Sequence, residues 1–327
     1  MKIAIISGDL KDKDAVRGIG VHTNELIKAL KNEAKNKKNF ILDLKMVKSK
    51  DYDVIHFTSF KPFVISLSFI KPRGTRFVLT IHDLIPLIYP KNYPPGIKGR
   101  FNFLINKLLV KMYVDEIITI SETSKKDICR FLRVDPKIVH VIYLAPKEIY
   151  SKKTVTKKYN LPKKFALYTG DINYNKNIPN LIRACEIAKI PLVIAGKQAL
   201  EVEKMDLSHP ETSHLKGVSF KNVIRLGFIL DEELNDLYNL ATVYIQPSLY
   251  EGFGLPALEA VAVKTPLVVT KTQALVEILG DNVNYVNPND PKDIARGILK
   301  PNINIKLPRE YTWEKTAKET LDVYEKA

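Results

Sequence analysis

Short apolar runs alternate with longer amphipathic segments from one end of the chain to the other. The apolar runs have the length of buried strands, and the amphipathic segments have the spacing of helices with one apolar face. We predict strands over Ile3–Ile6, Val54–Phe57, Phe77–Ile81, Ile117–Ile120, Val139–Ile142, Ala166–Tyr168, Leu192–Ala195, Val223–Leu226, Val243–Ile245 and Leu267–Val269. The pattern indicates an α/β fold of two Rossmann-like, doubly wound domains, with their strand ends facing a cleft.

The hydrophobic periodicity is interrupted in the middle of the chain. Ala145-Pro146-Lys147 and the lysine-rich stretch Ser151–Lys164 lack it, as expected of a linker. We therefore predict a first domain over residues 1–150, a second domain over residues 151–310 and a C-terminal helix over residues 311–327.

The composition of the 327 residues is typical of a folded chain, with 45% hydrophobic and 27% charged residues. There is no run of about 18 apolar residues, and Lys2–Ile6 does not resemble the start of a signal peptide. We therefore expect a cytoplasmic protein.

Positive charge is concentrated in the first half of the chain. Residues 1–165 contain 33 Lys and Arg against 15 Asp and Glu, whereas residues 166–327 contain 18 against 21. Such a field attracts phosphates, nucleic acids and anionic membranes. No nucleic-acid-binding motif accompanies the charge, so we expect no nucleic acid partner. Peripheral contact with the inner membrane face stays open as a hypothesis.

One basic amphipathic segment, Ile97–Val114, bears on that hypothesis. It mixes apolar side chains with lysines and an arginine. Such a helix could lie on an anionic membrane. It could equally pack into the core of the first domain, and core packing is the interpretation that we favour.

The most informative stretch is Pro247–Ala260, in which two glutamates stand eight residues apart. It follows the predicted strand Val243–Ile245 and contains glycines that permit a tight turn and a close approach of the backbone to a ligand. We predict that Glu259 falls in the first turn of the next helix, where a carboxylate can accept paired hydroxyls such as those of a ribose. Glu251 could hold a second sugar-like group. For any single glutamate, the alternative is a solvated side chain in a strand–helix connection.

The whole stretch resembles the E-x7-E signature of the retaining glycosyltransferases of family 4, which have the GT-B architecture. The resemblance implies transfer of a hexose of mannose or glucose type from a nucleotide diphosphate sugar to a glycan, lipid-linked or small-molecule acceptor. It implies that Glu259 binds the ribose and that Glu251 is a catalytic residue at the donor sugar, beside Phe253, Gly254 and Leu255. It also implies that the C-terminal helix crosses back to the first domain.

A second motif combines a glycine with a lysine after the strand Ala166–Tyr168. Gly170 allows a turn, and Lys176 stands beside the start of a helix, where a cation and backbone N–H groups suit a diphosphate. A solvated surface lysine is the alternative. Family 4 members carry a similar Gly…Lys-Asn motif, whose lysine binds the donor phosphates. This chain has Asp171 where many members place an arginine, which puts the route of diphosphate binding in doubt.

Candidate residues of the first domain follow its predicted strands. His82 stands at a strand end, where it could be a core histidine bonded to backbone or a ligand-binding group. It resembles the family's His-Asp motif, which implies a catalytic role in positioning the donor sugar. Gly18 and Gly20 match the family's glycine loop at the donor, before a helix predicted to begin at Thr23. Arg17 and His22 are candidates for the acceptor.

No Asp-x-Asp pair stands at a strand end to hold a metal ion. We therefore expect no metal and no cofactor besides the donor substrate, with Lys176 and backbone dipoles meeting the charge of the leaving group. The family retains the anomeric configuration of the sugar, and this sequence shows no evident nucleophile. The resemblance therefore implies the front-face substitution proposed for the family. Two alternatives stay open: a GT-B hydrolase or epimerase acting on a nucleotide sugar, and a binding module for a nucleotide sugar or glycan without transferase activity.

Overall fold

The computed structural model describes residues 1–6, 18–35, 41–43, 52–157 and 159–326. The chain divides into two compact units. The first comprises Met1–Pro90, Pro95–Ala145 and Tyr311–Ala327, and the second comprises Lys91–Pro94 and Pro146–Glu310.

The first unit is built on a six-stranded parallel sheet. Its strands are β1 (Lys2–Ile6), β2 (Ile41–Asp43), β3 (Val54–Phe57), β4 (Arg76–Thr80), β5 (Val114–Thr119) and β6 (Val139–Val141). They lie in the order β2-β1-β3-β4-β5-β6. The strands predicted for this half of the chain are confirmed, with ends that differ by a few residues. β2 was not predicted because a three-residue strand is too short to show a period.

The second unit is built on a five-stranded parallel sheet. Its strands are β7 (Ala166–Thr169), β8 (Leu192–Ala195), β9 (Val223–Gly227), β10 (Val243–Gln246) and β11 (Leu267–Val269), all of them predicted. The order is β11-β10-β7-β8-β9, so the direction of winding reverses between β7 and β10. Open α/β sheets bind ligands beyond the carboxyl ends of the strands at such a switch point.

Helices connect the strands of both sheets. In the first unit they are α1 (Gly18–Ala34), α2 (Ile85–Ile88), α3 (Gly96–Tyr113), α4 (Glu122–Leu132) and the C-terminal α11 (Trp313–Lys326). In the second they are α5 (Ile178–Ala188), α6 (Lys197–Leu200), α7 (Asp231–Leu240), α8 (Leu255–Ala262), α9 (Gln273–Leu279) and α10 (Pro291–Leu299). No helix in the described ranges combines the length and the apolar character needed to cross a bilayer.

The C-terminal helix α11 packs in the first unit. Its apolar side chains Leu321 and Tyr324 share a buried cluster with Ile3 of β1. The Tyr324 hydroxyl lies 2.6 Å from Nδ1 of His56, whose Nε2 lies 2.7 Å from Oγ1 of Thr80. Burial lowers the pKa of His56 to about 3, so this histidine is neutral and its ring links α11 to the centre of the sheet.

Candidate functional site

Glu251 lies just after β10, at the switch point of the second sheet. Its carboxylate is buried and accepts hydrogen bonds from Lys176 Nζ at 2.8 and 3.0 Å, from Gln246 Nε2 at 2.6 Å and from Ser248 Oγ at 2.5 Å. A buried carboxylate needs a counter-charge and donors to offset the loss of water. The structure thus brings together two of the predicted catalytic residues, Lys176 and Glu251.

Two asparagines beside Lys176 hold it in place. Lys176 ends a short 3₁₀ turn, Tyr174–Lys176, and Asn177 then adopts a left-handed conformation with φ of 58°. Asn177 Nδ2 donates to the carbonyls of Pro247 at 2.9 Å and Pro288 at 2.7 Å. Asn175 Nδ2 donates to the carbonyl of Tyr250 at 3.1 Å. The lysine loop is therefore tied to the loop that contains Glu251.

Glycines shape both loops at the switch point. Gly170, directly after β7, has φ of 126°, a conformation that L side chains rarely adopt. Gly254 precedes α8 with φ of 107°, and a Cβ atom there would lie 2.5 Å from Cδ2 of Leu275. Only glycine fits this turn, which begins α8 at Leu255 beside the Glu251 loop. The positive end of the helix dipole therefore lies close to the Lys176 and Glu251 pair.

Glu259 is buried and lies beyond the first turn of α8, not in that turn as predicted, because the helix begins at Leu255. Its Oε2 accepts a hydrogen bond of 2.9 Å from the Tyr238 hydroxyl. Burial raises the pKa of Glu259 to about 7, the negative charge of Asp231 adds to the rise, and the Tyr238 hydrogen bond opposes it. This carboxyl therefore titrates near neutral pH, and its ionised form has unused acceptor capacity for the hydroxyls of a ligand.

A buried hydrogen-bond chain, formed by Gln246, Tyr244, Thr169 and Tyr238, links the two glutamates. The Tyr244 hydroxyl donates to Gln246 Oε1 at 2.6 Å. Thr169 Oγ1 lies 3.4 Å from the Tyr244 hydroxyl and 3.2 Å from the Tyr238 hydroxyl. With the contacts of Gln246 to Glu251 and of Tyr238 to Glu259, a series of close polar contacts runs from one carboxylate to the other.

The direction of each bond in this chain follows from its two ends. Because the amide of Gln246 donates to Glu251, its oxygen must accept the proton of Tyr244. Tyr238 likewise uses its single proton on Glu259. Burial holds the pKa of both tyrosines well above the ordinary value, so both keep their protons. The two tyrosine protons therefore point away from Thr169, towards Gln246 and Glu259, and the single hydroxyl proton of Thr169 can be donated to only one of the two tyrosine oxygens. The donors at the two ends hold the carboxylates of Glu251 and Glu259 in their orientations.

The buried hydrogen-bond chain was not predicted from the sequence. Tyr238 lies in α7 and Tyr244 in β10, where aromatic residues at buried positions are normally explained as core. Gln246 offers the one available signal, because it is an amide at the end of an otherwise apolar strand. Asn175 and Asn177, next to Lys176, were likewise not assigned a role.

The candidate residues of the first unit are also brought together in part. Nε2 of His82, after β4, lies 2.7 Å from Nδ1 of His22 in α1, with the rings edge to face at 4.6 Å. The His22 ring also lies 5.9 Å from that of Trp313, at the start of α11. Burial, with His82 next in effect, lowers the pKa of His22, so His22 is neutral near pH 7.

The predicted start of the first helix was wrong. α1 begins at Gly18 rather than at Thr23, so Gly18 and Gly20 lie in its first turn and not in a preceding loop. Glycine lowers helix propensity, which is why the pattern suggested a later start. The N–H groups of a first turn lack partners within the helix. Arg17 lies outside the described residues.

Among the residues that the structure describes, no group of three or more His, Cys, Asp or Glu side chains is placed to hold a metal ion.

Comparisons with known proteins agree with this arrangement. The family model described as "Glycosyl transferases group 1" matches residues 151–312, and the model "Glycosyltransferase Family 4" matches residues 32–145. An uncharacterized glycosyltransferase, MJ1607, from Methanocaldococcus jannaschii is 33% identical over 64% of this chain and 59% of its own length. The serotype-specific mannosyltransferase WbdA from Escherichia coli is 31% identical over 68% of this chain and 29% of its own length.

A solved structure shows the same fold. Sucrose-phosphate synthase from Thermosynechococcus elongatus has 18% sequence identity and a TM-score of 0.65, covering 100% of this chain and 94% of that protein. Two parallel α/β units of this type define the GT-B class. The chain belongs to the family 4 glycosyltransferases of group 1. Its matched part spans 59% and 29% of the length of the two relatives named above.

Proposed function

We propose that the protein is a retaining, metal-independent glycosyltransferase. It moves a hexose of mannose or glucose type from a nucleotide diphosphate sugar to a glycan, lipid-linked or small-molecule acceptor. The observation that carries the proposal is the pairing of Lys176 with the buried Glu251 beside α8, joined through the buried hydrogen-bond chain to Glu259. Such a site offers one cation for a diphosphate and two separate carboxylates for two sets of hydroxyls.

Each donor-binding residue then has a physical role. Ionised Glu259 accepts the ribose hydroxyls, and Lys176 meets the diphosphate together with the N-terminal end of α8. Once Lys176 turns to the phosphates, Glu251 is free to accept hydroxyls of the donor sugar. Gly170 and the backbone of Phe253, Gly254 and Leu255 allow the ligand to approach the sheet edge closely.

Relatives that are named for mannosyl transfer support the mannose assignment. WbdA and an O-antigen chain mannosyltransferase from Escherichia coli are named for mannosyl transfer, and the second is 26% identical over 77% of this chain. The shared fold does not choose the sugar, and glucose stays in the proposal on the resemblance to family 4 alone.

The retaining and metal-independent character of the reaction is part of the proposal. Positive charge for the leaving diphosphate would come from Lys176 and from backbone dipoles. On the family motifs alone, we assign His82 to the donor sugar. We likewise assign Gly18 and Gly20 to the donor loop, and Arg17 and His22 to the acceptor. We place the reaction at the inner membrane face, where a lipid-linked acceptor would be met.

The experiment is a transfer assay with purified protein. GDP-, UDP-, ADP- and TDP-linked glucose and mannose are each incubated with a panel of glycan and lipid-linked acceptors, and nucleotide release and product mass are measured. We expect one donor class to react and activity to be unchanged in EDTA. The product should keep the anomeric configuration of the donor. Glu251→Gln should abolish turnover, whereas the exposed Asp322→Asn should not. Release of free sugar without acceptor would indicate a hydrolase, and binding without turnover a binding module.

A further inference from the structure

The rotation of α3 about its axis is fixed by one buried side chain, Asn106. Its Oδ1 accepts the N–H of Ser66 at 3.1 Å, and its Nδ2 donates to the carbonyls of Val64 at 2.7 Å and Pro62 at 3.1 Å. Leu109 and Val110 pack into the sheet core beside it. This face of α3 therefore points inward, as the favoured prediction of core packing requires.

Core packing does not explain the opposite face of α3, and for that face the prediction was wrong. Five large apolar side chains, spaced three or four residues apart, form what we call the α3 stripe. Ile97 is 92% exposed, Phe101 62%, Leu104 63%, Leu108 57% and Met112 56%. A surface helix normally turns polar residues to water, so a continuous apolar stripe of this kind marks an interaction surface.

The α3 stripe is bordered by positive charge. Lys98, Arg100 and Lys111 are exposed and fall beside the stripe at helical spacing. Lys107 does not belong to this basic border, because its Nζ donates to the carbonyl of Phe131 at 3.0 Å. α3 contains no acidic residue. The partner of this surface should therefore offer both an apolar layer and negative charge.

An anionic lipid bilayer fits these two requirements best. Two copies of the chain joined by a twofold contact through the α3 stripe would bring like-charged borders together, which is unfavourable. A basic amphipathic helix on a bilayer instead buries its apolar face among the acyl chains while its cations meet anionic headgroups.

We propose that α3 docks the first unit onto anionic membranes by means of the α3 stripe and its basic border. The proposed function enters only as the purpose of the docking, which would bring the enzyme to a lipid-linked acceptor. Lipid binding itself needs neither donor nor acceptor, and it is measured without them.

The test is flotation of the full chain with vesicles of pure phosphatidylcholine or of an equimolar mixture with phosphatidylglycerol. The protein should bind the mixed vesicles and not the neutral ones, and added salt should weaken binding. Leu104→Gln with Leu108→Gln should lower vesicle affinity at least about tenfold. Leu299→Gln, at an exposed leucine of the second unit, is the matched control and should leave binding unchanged.

The charge requirement has its own variants. Lys98→Gln, Arg100→Gln and Lys111→Gln together should weaken binding to the mixed vesicles, whereas Lys163→Gln, Lys164→Gln and Lys221→Gln, at exposed lysines of the second unit, should have little effect. Melting temperatures confirm that each variant is folded.

Absent binding to mixed vesicles, or equal binding of the Leu104 and Leu108 variant, would overturn the proposal. A dimer in light scattering that this variant dissociates would show that the occupant is a second copy. Transfer to a water-soluble acceptor without vesicles should be unchanged in the variant, so failure of the docking and failure of the proposed reaction are told apart.

Discussion

The Tyr238 hydroxyl lies 2.9 Å from Oε2 of Glu259 and donates its proton to it. The contact joins α7 to α8 beneath the carboxyl ends of the sheet. It stabilises the ionised form of a carboxyl whose pKa burial has raised to about 7. The proposed binding of ribose hydroxyls by Glu259 should therefore depend on pH and on Tyr238, and both dependences can be measured.

Glu259 should make the folded protein less stable as pH rises. Its folded-state pKa of about 7 is above the ordinary value of 4.5, so the folded protein holds the proton more tightly than the unfolded chain. The stabilising contribution is complete below pH 4.5 and is lost as pH rises through 7. Glu259→Gln removes this loss. Relative to wild type, its free energy of unfolding should increase by about 2 kcal/mol between pH 5.5 and 8, measured by urea denaturation.

The exposed Asp322→Asn variant is the control for this experiment and should show no such pH-dependent gain. An equal stability difference between Glu259→Gln and wild type at both pH values would mean that Glu259 does not titrate in this range.

Tyr238→Phe should shift the pH dependence of donor binding. The variant removes the one hydrogen bond that favours ionised Glu259, so the pKa of that carboxyl should rise further. In the proposed site, the donor binds to the ionised carboxylate. As pH is lowered, donor affinity should therefore begin to fall at a higher pH in the variant than in wild type. Titration calorimetry from pH 6 to 9 measures the midpoint. The control is Tyr324→Phe in α11, which removes a buried hydroxyl away from Glu259 and should leave the midpoint unchanged. An unchanged midpoint in Tyr238→Phe would contradict the role proposed for the contact between Tyr238 and Glu259.

Lys176 and Glu251 should fail in different ways. Lys176→Gln removes the cation for the diphosphate, so both donor affinity and turnover should fall, turnover by about a hundredfold. Glu251→Gln leaves Lys176 available, so the variant should keep affinity for the free nucleoside diphosphate while losing turnover. Nucleotide dissociation constants and kcat measured side by side test this. If both variants lost nucleotide binding equally, the separate roles would be disproved.

Asn177 should matter both for its backbone and for its side chain. Asn177→Ala places an alanine, which disfavours the left-handed region, at φ of 58°. It also removes three hydrogen bonds of the Asn177 side chain, and we expect a cost of about 1 to 3 kcal/mol. Asn177→Gly removes the same hydrogen bonds but tolerates the conformation, so it should be the less destabilised variant. Both should raise KM for the donor by loosening Lys176. Chemical denaturation and donor kinetics measure the two effects, and a wild-type KM in both would contradict the positioning role.

The fold could be predicted in large part because its signals are local. Ten strands show as apolar runs, and the glycines around Glu251 mark a turn that the structure contains. The contacts of the site are not local. Lys176 and Glu251 are 75 residues apart, and nothing in either segment specifies that their side chains meet. Tyr238 and Tyr244 look like core residues in the sequence, because their hydroxyls acquire partners only when β7, β10 and α7 pack together.

The two errors in the helix predictions also arise because tertiary packing outweighs local sequence signals. Gly18 and Gly20 disfavour a helix in isolation, yet α1 includes both, because packing outweighs a weak intrinsic propensity. The amphipathic pattern of α3 correctly indicated a helix but not which apolar residues face the core. Asn106 helps to determine which face of α3 is buried, and its backbone partners lie about 40 residues earlier in the chain.

The central claim is that a nucleotide sugar binds at the carboxyl edge of the second sheet through Glu259, Lys176 and Glu251. It is tested most directly by calorimetric titration of the purified protein with GDP-, UDP-, ADP- and TDP-sugars at pH 8, where Glu259 is ionised. We expect one nucleotide class to bind, with affinity reduced at least about tenfold by Glu259→Ala. Binding of none of these donors, or binding that Glu259→Ala leaves unchanged, would contradict the claim.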